Sequence, residues 1–79
     1  MIYYKKTTAN GTLYRGLDSG TFTVVEVHEG ALGNAVIKIE NESLYNTLAT
    51  ATVGEGYISS TEEEFNSAKT AALGVLNTI

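Results

Sequence analysis

The stretch Ser59-Ser60-Thr61-Glu62-Glu63-Glu64-Phe65 and its continuation to Ile79 specify their own structure more fully than any other part of the chain. Thr61 with Glu64, or Ser60 with Glu63, forms a capping box, in which a hydroxyl accepts from an orphan amide of the first helical turn. A helix is therefore expected from about Glu62. The three glutamates sit at the positive end of its dipole, which gives the charge run a local structural reason. At helical spacing Phe65, Ala68, Ala72, Val75, Leu76 and Ile79 fall on one stripe, with Glu63, Asn66, Ser67, Thr70, Gly74 and Asn77 opposite. A lone helix of this length is marginal in water, so the stripe predicts an apolar layer beneath it, with Phe65 and Leu76 hidden. Lys69 is the one cation on the segment, which disfavours a membrane-surface helix.

That layer is read as sheet. Asn10-Gly11 predicts a hairpin between residues 2–8 and 12–17, with a type I′ turn closed by Ala9 and Thr12. This register places Tyr4 opposite Leu17, Thr8 opposite Leu13 and Lys6 opposite Arg15. Ile2, Tyr4, Leu13 and Leu17 then form the better core face, with Tyr3, Lys5, Thr7, Tyr14 and Gly16 on the other. Lys6 against Arg15 is a flaw, because like charges directly opposed destabilise a sheet. The rim of the core, or an anion between them, would accommodate it.

Asp18-Ser19-Gly20 predicts the next turn, with the glycine in the left-handed position. Strands over 21–28 and 35–40 follow. A five-residue loop would pair Glu29 with Ala35, Val27 with Ile37 and Val25 with Ile39, and set Glu26 opposite Lys38. Phe22, Val24 and Val36 are left on a face that should be wet, so either residues 42–53 or a second copy of the chain is expected to cover it. Asn41 can cap a short helix over 42–49 carrying Leu44, Tyr45, Leu48 and Ala49, and the threonine-rich 50–53 favours strand. Gly54-Glu55-Gly56 reads as a turn, and 57–59 as a last short strand. The expected fold class is α+β, an antiparallel β-meander of four or more strands with the C-terminal amphipathic helix packed on one face, in a single small domain spanning 1–79.

A chain of 79 residues buries a modest fraction of its surface, and without cysteine it has neither disulfides nor thiolate metal sites to reinforce it. Oligomerisation is the remaining reinforcement. The longest apolar runs fall far short of a membrane span, and Met1 to Lys6 lacks the pattern of a signal peptide, so a cytoplasmic location is expected. The net charge of −4 resides in the second half of the chain, whereas the first seventeen residues are purely basic.

Catalytic constellations are hard to find. His28 is the one imidazole, with Glu26 and Glu29 close by. One histidine with carboxylates specifies a metal site poorly, and a surface histidine at a strand end is the simpler reading. No serine lies in a nucleophile elbow, and the glycines fit neither the P-loop nor the dinucleotide spacing. No catalytic residue, metal ligand or cofactor is therefore assigned. The sequence points to a non-catalytic protein-interaction or structural module, self-associating as a homo-oligomer, a dimer, through Phe22, Val24 and Val36. The alternative is a single-stranded nucleic-acid-binding domain, with bases stacking on Tyr3 and Tyr14 and phosphates held by Lys5 and Arg15, aided by Lys38. The acidic total charge argues against it.

Overall fold

The computed structural model describes residues 1–31 and 33–78. Its elements are β1 (Ile2–Thr8), β2 (Gly11–Asp18), β3 (Thr23–Gly30), β4 (Ala35–Glu40), α1 (Glu42–Gly54), β5 (Ile58–Ser59) and α2 (Glu62–Leu76). The strands form one antiparallel sheet in the order β4-β3-β2-β1-β5, with α2 packed on it. The expected α+β meander with a C-terminal helix is thus the architecture observed. Thr61 caps α2, its hydroxyl accepting from the Glu64 amide at 3.1 Å. The Glu64 carboxylate does not close the box. It accepts from Lys5 of β1 and from the Ser60 hydroxyl, tying the helix start to the sheet.

The first hairpin is shifted by two residues from the sequence expectation. Its loop is Ala9-Asn10, and the pairs are Ile2 with Leu17, Tyr4 with Arg15, Lys6 with Leu13 and Thr8 with Gly11. Gly11 joins the strand because a neighbour presses on it: a β-carbon there would lie 2.1 Å from the Glu29 carbonyl oxygen, and its φ is 144°. Neither loop residue, Ala9 or Asn10, has positive φ, so a type I′ turn has no place. The shift also separates Lys6 from Arg15, removing the like-charge opposition. In the next turn the left-handed residue is Phe22, at φ 51°, and not Gly20.

The β3–β4 register differs by one residue, and a one-residue slip reverses which side chains face which layer. His28 pairs with Ala35, Val27 with Val36 and Glu26 with Ile37. The strand is held in this position from its other side, where Gly11 pairs with Gly30 and Arg15 with Glu26. Glu26 therefore meets Arg15 and not Lys38.

These registers sort the sheet into rows. On one side lie Tyr3, Gly16, Val25 and Lys38 in one row, and Lys5, Tyr14, Val27 and Val36 in the next. This is the side that α2 covers, placing Phe65, Ala68 and Ala72 against Val27, Tyr3, Tyr14, Val25 and Val36. The Phe65 ring lies 5.0 Å from that of Tyr3 and over Gly16, whose missing side chain makes room for it. The expected core face, with Ile2, Tyr4, Leu13 and Leu17, is the opposite one.

There, Ile2, Leu17, Val24 and Ile39 form an apolar row and Tyr4, Arg15, Glu26 and Ile37 a mixed one, with α1 packed across. Residues 50–53 are helical and not strand. The Thr47, Thr50 and Thr52 hydroxyls each donate to the carbonyl four residues back, which accommodates them in the helix. Asn41 caps α1 as expected, accepting from the Leu44 amide at 2.9 Å.

The α2 stripe is buried only as far as Ala72. Val75 and Leu76 are 46% and 41% exposed, contrary to the expectation for Leu76. A fifteen-residue helix is about 22 Å long, while β1 to β4 spans about 14 Å, so the last turns outrun the sheet. Ile79 lies outside the described residues.

Candidate interaction surface

Arg15, at the centre of the sheet, is buried and anchors a polar network. Its Nε and Nη2 donate to Glu26 Oε1 at 3.1 and 2.6 Å, and its Nη1 donates to the Thr52 hydroxyl at 2.7 Å. The guanidinium lies 4.6 Å from the centre of the Tyr57 ring, against which the Lys6 ammonium also rests at 5.6 Å. Thr52 is in the last turn of α1, which carries no cation of its own, so Arg15 supplies the positive charge that a helix C-terminus favours. Glu26 Oε2 meets His28 Nε2 at 3.1 Å.

Burial works against ionisation of Glu26, but the His28 hydrogen bond and the Arg15 charge outweigh it and hold the carboxyl below its usual range. Burial raises the Tyr57 phenol, and the Glu26 and Glu55 carboxylates add to this against the opposing Arg15 charge. Every buried polar side-chain atom among the described residues has a partner. The network is therefore a closed fastening between helix and sheet.

The four residues considered for nucleic acid are divided between the two sides. Tyr3 and Tyr14 pack under α2, and Lys5 is bonded to Glu64. Arg15 is on the other side, occupied by Glu26 and Thr52. Lys38 pairs with Glu40 at 2.9 Å. The sheet does not bring these groups together as an open stacking platform. Among the described residues no cluster of three histidine or carboxylate side chains is arranged to hold a metal. Surface depressions open widely to solvent, including one of roughly 280 Å³ at the sheet tip lined by Thr8, Leu13, His28 and Ala35.

Phe22, Val24 and Val36 are also separated. Val24 is fully buried on the α1 side, Val36 is partly buried under α2, and Phe22 is 36% exposed with its ring edge-on to Tyr45. The cover foreseen for Val24 is the 42–53 segment. Exposed apolar side chains lie at both margins of the sheet, with Ile2 and Ile58 on the β1–β5 side, each 61% exposed. At the β4 margin, Ile37 and Leu44, the latter in the first turn of α1, are 42% and 49% exposed, and α2, which carries the exposed Val75 and Leu76, also packs against β4. The other margin is partly closed by β5, which pairs with Tyr4 and Lys5. The outer edge of β4 has no strand partner among the described residues. Sequence reading paired Ile37 with Val27 and so did not place it beside Glu26 at an exposed margin, and it did not find Thr52 and Tyr57 because neither carries a recognisable motif. The Lys6–Arg15 conflict was the one available signal that the assumed pairing was wrong.

No protein family, curated protein or solved structure matches the chain.

Proposed function

We propose that the chain is a non-catalytic interaction module of the cytoplasm that self-associates as a dimer through the β4 margin of its sheet. The observation that carries this reading is the coincidence of an unpaired strand edge with exposed apolar side chains on the two helices that pack against β4, Leu44 in α1 and Val75 and Leu76 in α2. An open edge presents a row of amide and carbonyl groups that another chain can pair, and exposed aliphatic neighbours add burial to those hydrogen bonds. A small core without disulfides also gains stability from association, and a chain free of cysteine suits a reducing compartment.

Sedimentation equilibrium from low to high micromolar concentration tests the proposal. A monomer–dimer equilibrium is expected, weakened by Leu44→Glu. A monomer throughout that range would overturn it.

A further inference from the structure

Resting on that reading, we infer that two copies join β4 to β4 in antiparallel register with Ile39 on the two-fold axis, so that two five-stranded sheets continue as one. The backbone supplies the first step. The Asn41 amide donates to the Phe22 carbonyl at 3.1 Å, which continues the β3–β4 ladder by one residue. Antiparallel ladders alternate, so Ile37, Ile39 and Asn41 turn their backbone groups towards β3, whereas Val36, Lys38 and Glu40 turn theirs outwards. Asn41 is itself extended, at φ −158° and ψ 125°, so the edge runs on to the cap of α1.

A two-fold axis normal to the sheet pairs side chains of the same face, which leaves a few registers, and charge selects among them. With Lys38 on the axis, two ammonium groups face each other, an arrangement that destabilises a sheet. With Ile37 on the axis, Lys38 faces Val36 and the charges stay unpaired. With Ile39 on the axis, Lys38 of each copy faces Glu40 of the other, and the outward amides and carbonyls of these two residues are the ones that bond. Both side chains are well exposed, at 63% and 60%, and already attract each other along the strand. Ile37 then lies opposite Asn41 of the second copy, beside the helix turn that carries its Leu44. Each of these exposed aliphatic groups thereby finds the other.

Because the chain contains no cysteine, a cysteine scan reads the register directly. Ile39→Cys should oxidise to a disulfide-linked dimer, since cross-strand pairs on the axis lie within disulfide reach, while Ile37→Cys and Lys38→Cys should not. A charge exchange provides a measurement at exposed positions that leaves the core intact. Lys38→Glu and Glu40→Lys should each weaken self-association roughly tenfold, and an equimolar mixture of the two should restore it as a heterodimer. Cross-linking at 37 or 38 in place of 39, or a Glu40→Lys variant that dimerises as well as the wild type, would overturn the register. A wild-type dimer that ignores all five substitutions would overturn the β4 edge while leaving self-association standing. A wild-type monomer would remove both.

Discussion

The two sides of this sheet are closed by different physics. Under α2 the contact is apolar, with one large ring, Phe65, seated over Gly16 against Tyr3, and two alanines that let the helix lie close to Val27. Under α1 an apolar row gives way to a charged one, where Arg15 is held between Glu26 and Thr52. The first closure is stabilised by area removed from water, which is non-directional and tolerant of small shifts. The second depends on geometry, because a guanidinium taken from water is tolerated only when its donors are satisfied. The α2 side therefore depends chiefly on apolar burial, whereas the α1 side, which also buries Leu17 and Val24, uses Arg15 to fix where its helix docks.

The largest effect should follow from opening the apolar side. Phe65→Ala removes the one large buried side chain of α2 and should cost about 3–5 kcal/mol, enough to unfold much of a small domain, as read from urea denaturation. A loss below about 1 kcal/mol would mean that apolar burial is not what closes the α2 side. On the other side Arg15→Ala should cost about 3 kcal/mol, because it leaves Glu26 partly buried without its guanidinium partner, with His28 alone to bond it. The pair Arg15→Met with Glu26→Leu should recover most of that loss. If the double variant is no better than the single one, the network contributes more than mutual neutralisation.

What could be read from the sequence follows the same division. Elements defined by local chemistry were legible: the Thr61 cap, the Asn41 cap, the α2 stripe as far as Ala72, and the strands as runs of β-formers. Register was not, because it is decided by contacts distant along the chain. Gly11 looked like a turn residue, but it is required where β2 meets Gly30 of β3. Glu26 had an apparent partner in Lys38 along a plausible hairpin, yet its actual partner is two strands away from β4. The threonines of α1 read as strand because their bonds to the preceding turn are invisible in propensity. Phe22, Val24 and Val36 read as one face, but the structure separates them, since a slip by one residue exchanges inner and outer side chains.

A smaller effect isolates the fastening itself. Thr52→Val keeps the shape and removes the hydroxyl, leaving Arg15 Nη1 without its acceptor, and should cost about 1–2 kcal/mol. The same network should make stability depend on acid. The Glu26 carboxyl is held below its usual value of 4.5, so its contribution is present above that pH and is lost as pH falls through the folded-state value. Glu26→Gln should flatten the slope of stability against pH in that acid window, whatever its effect on the level at neutral pH. An unchanged slope would mean that Glu26 titrates alike in the folded and unfolded chain.

The smallest effect should come from the ion pair on the α2 side. Lys5 and Glu64 join the edge of β1 to the first turn of the helix, and each shifts the other: the hydrogen bond between them raises the lysine above 10.5 and lowers the glutamate. The lysine contribution is complete below pH 10.5 and disappears as pH rises through the raised value, and the glutamate contribution disappears in acid. Both groups lie at the solvent boundary, where water and salt screen the attraction and two long side chains must be ordered to make it. A double-mutant cycle with Lys5→Met and Glu64→Gln should therefore show a coupling close to experimental scatter that fades in added salt. The equivalent cycle at Arg15 and Glu26 should be clearly resolved and resist salt. Couplings of equal size would mean that burial does not distinguish the two pairs, and that the α1 side is fastened by something other than its central charge.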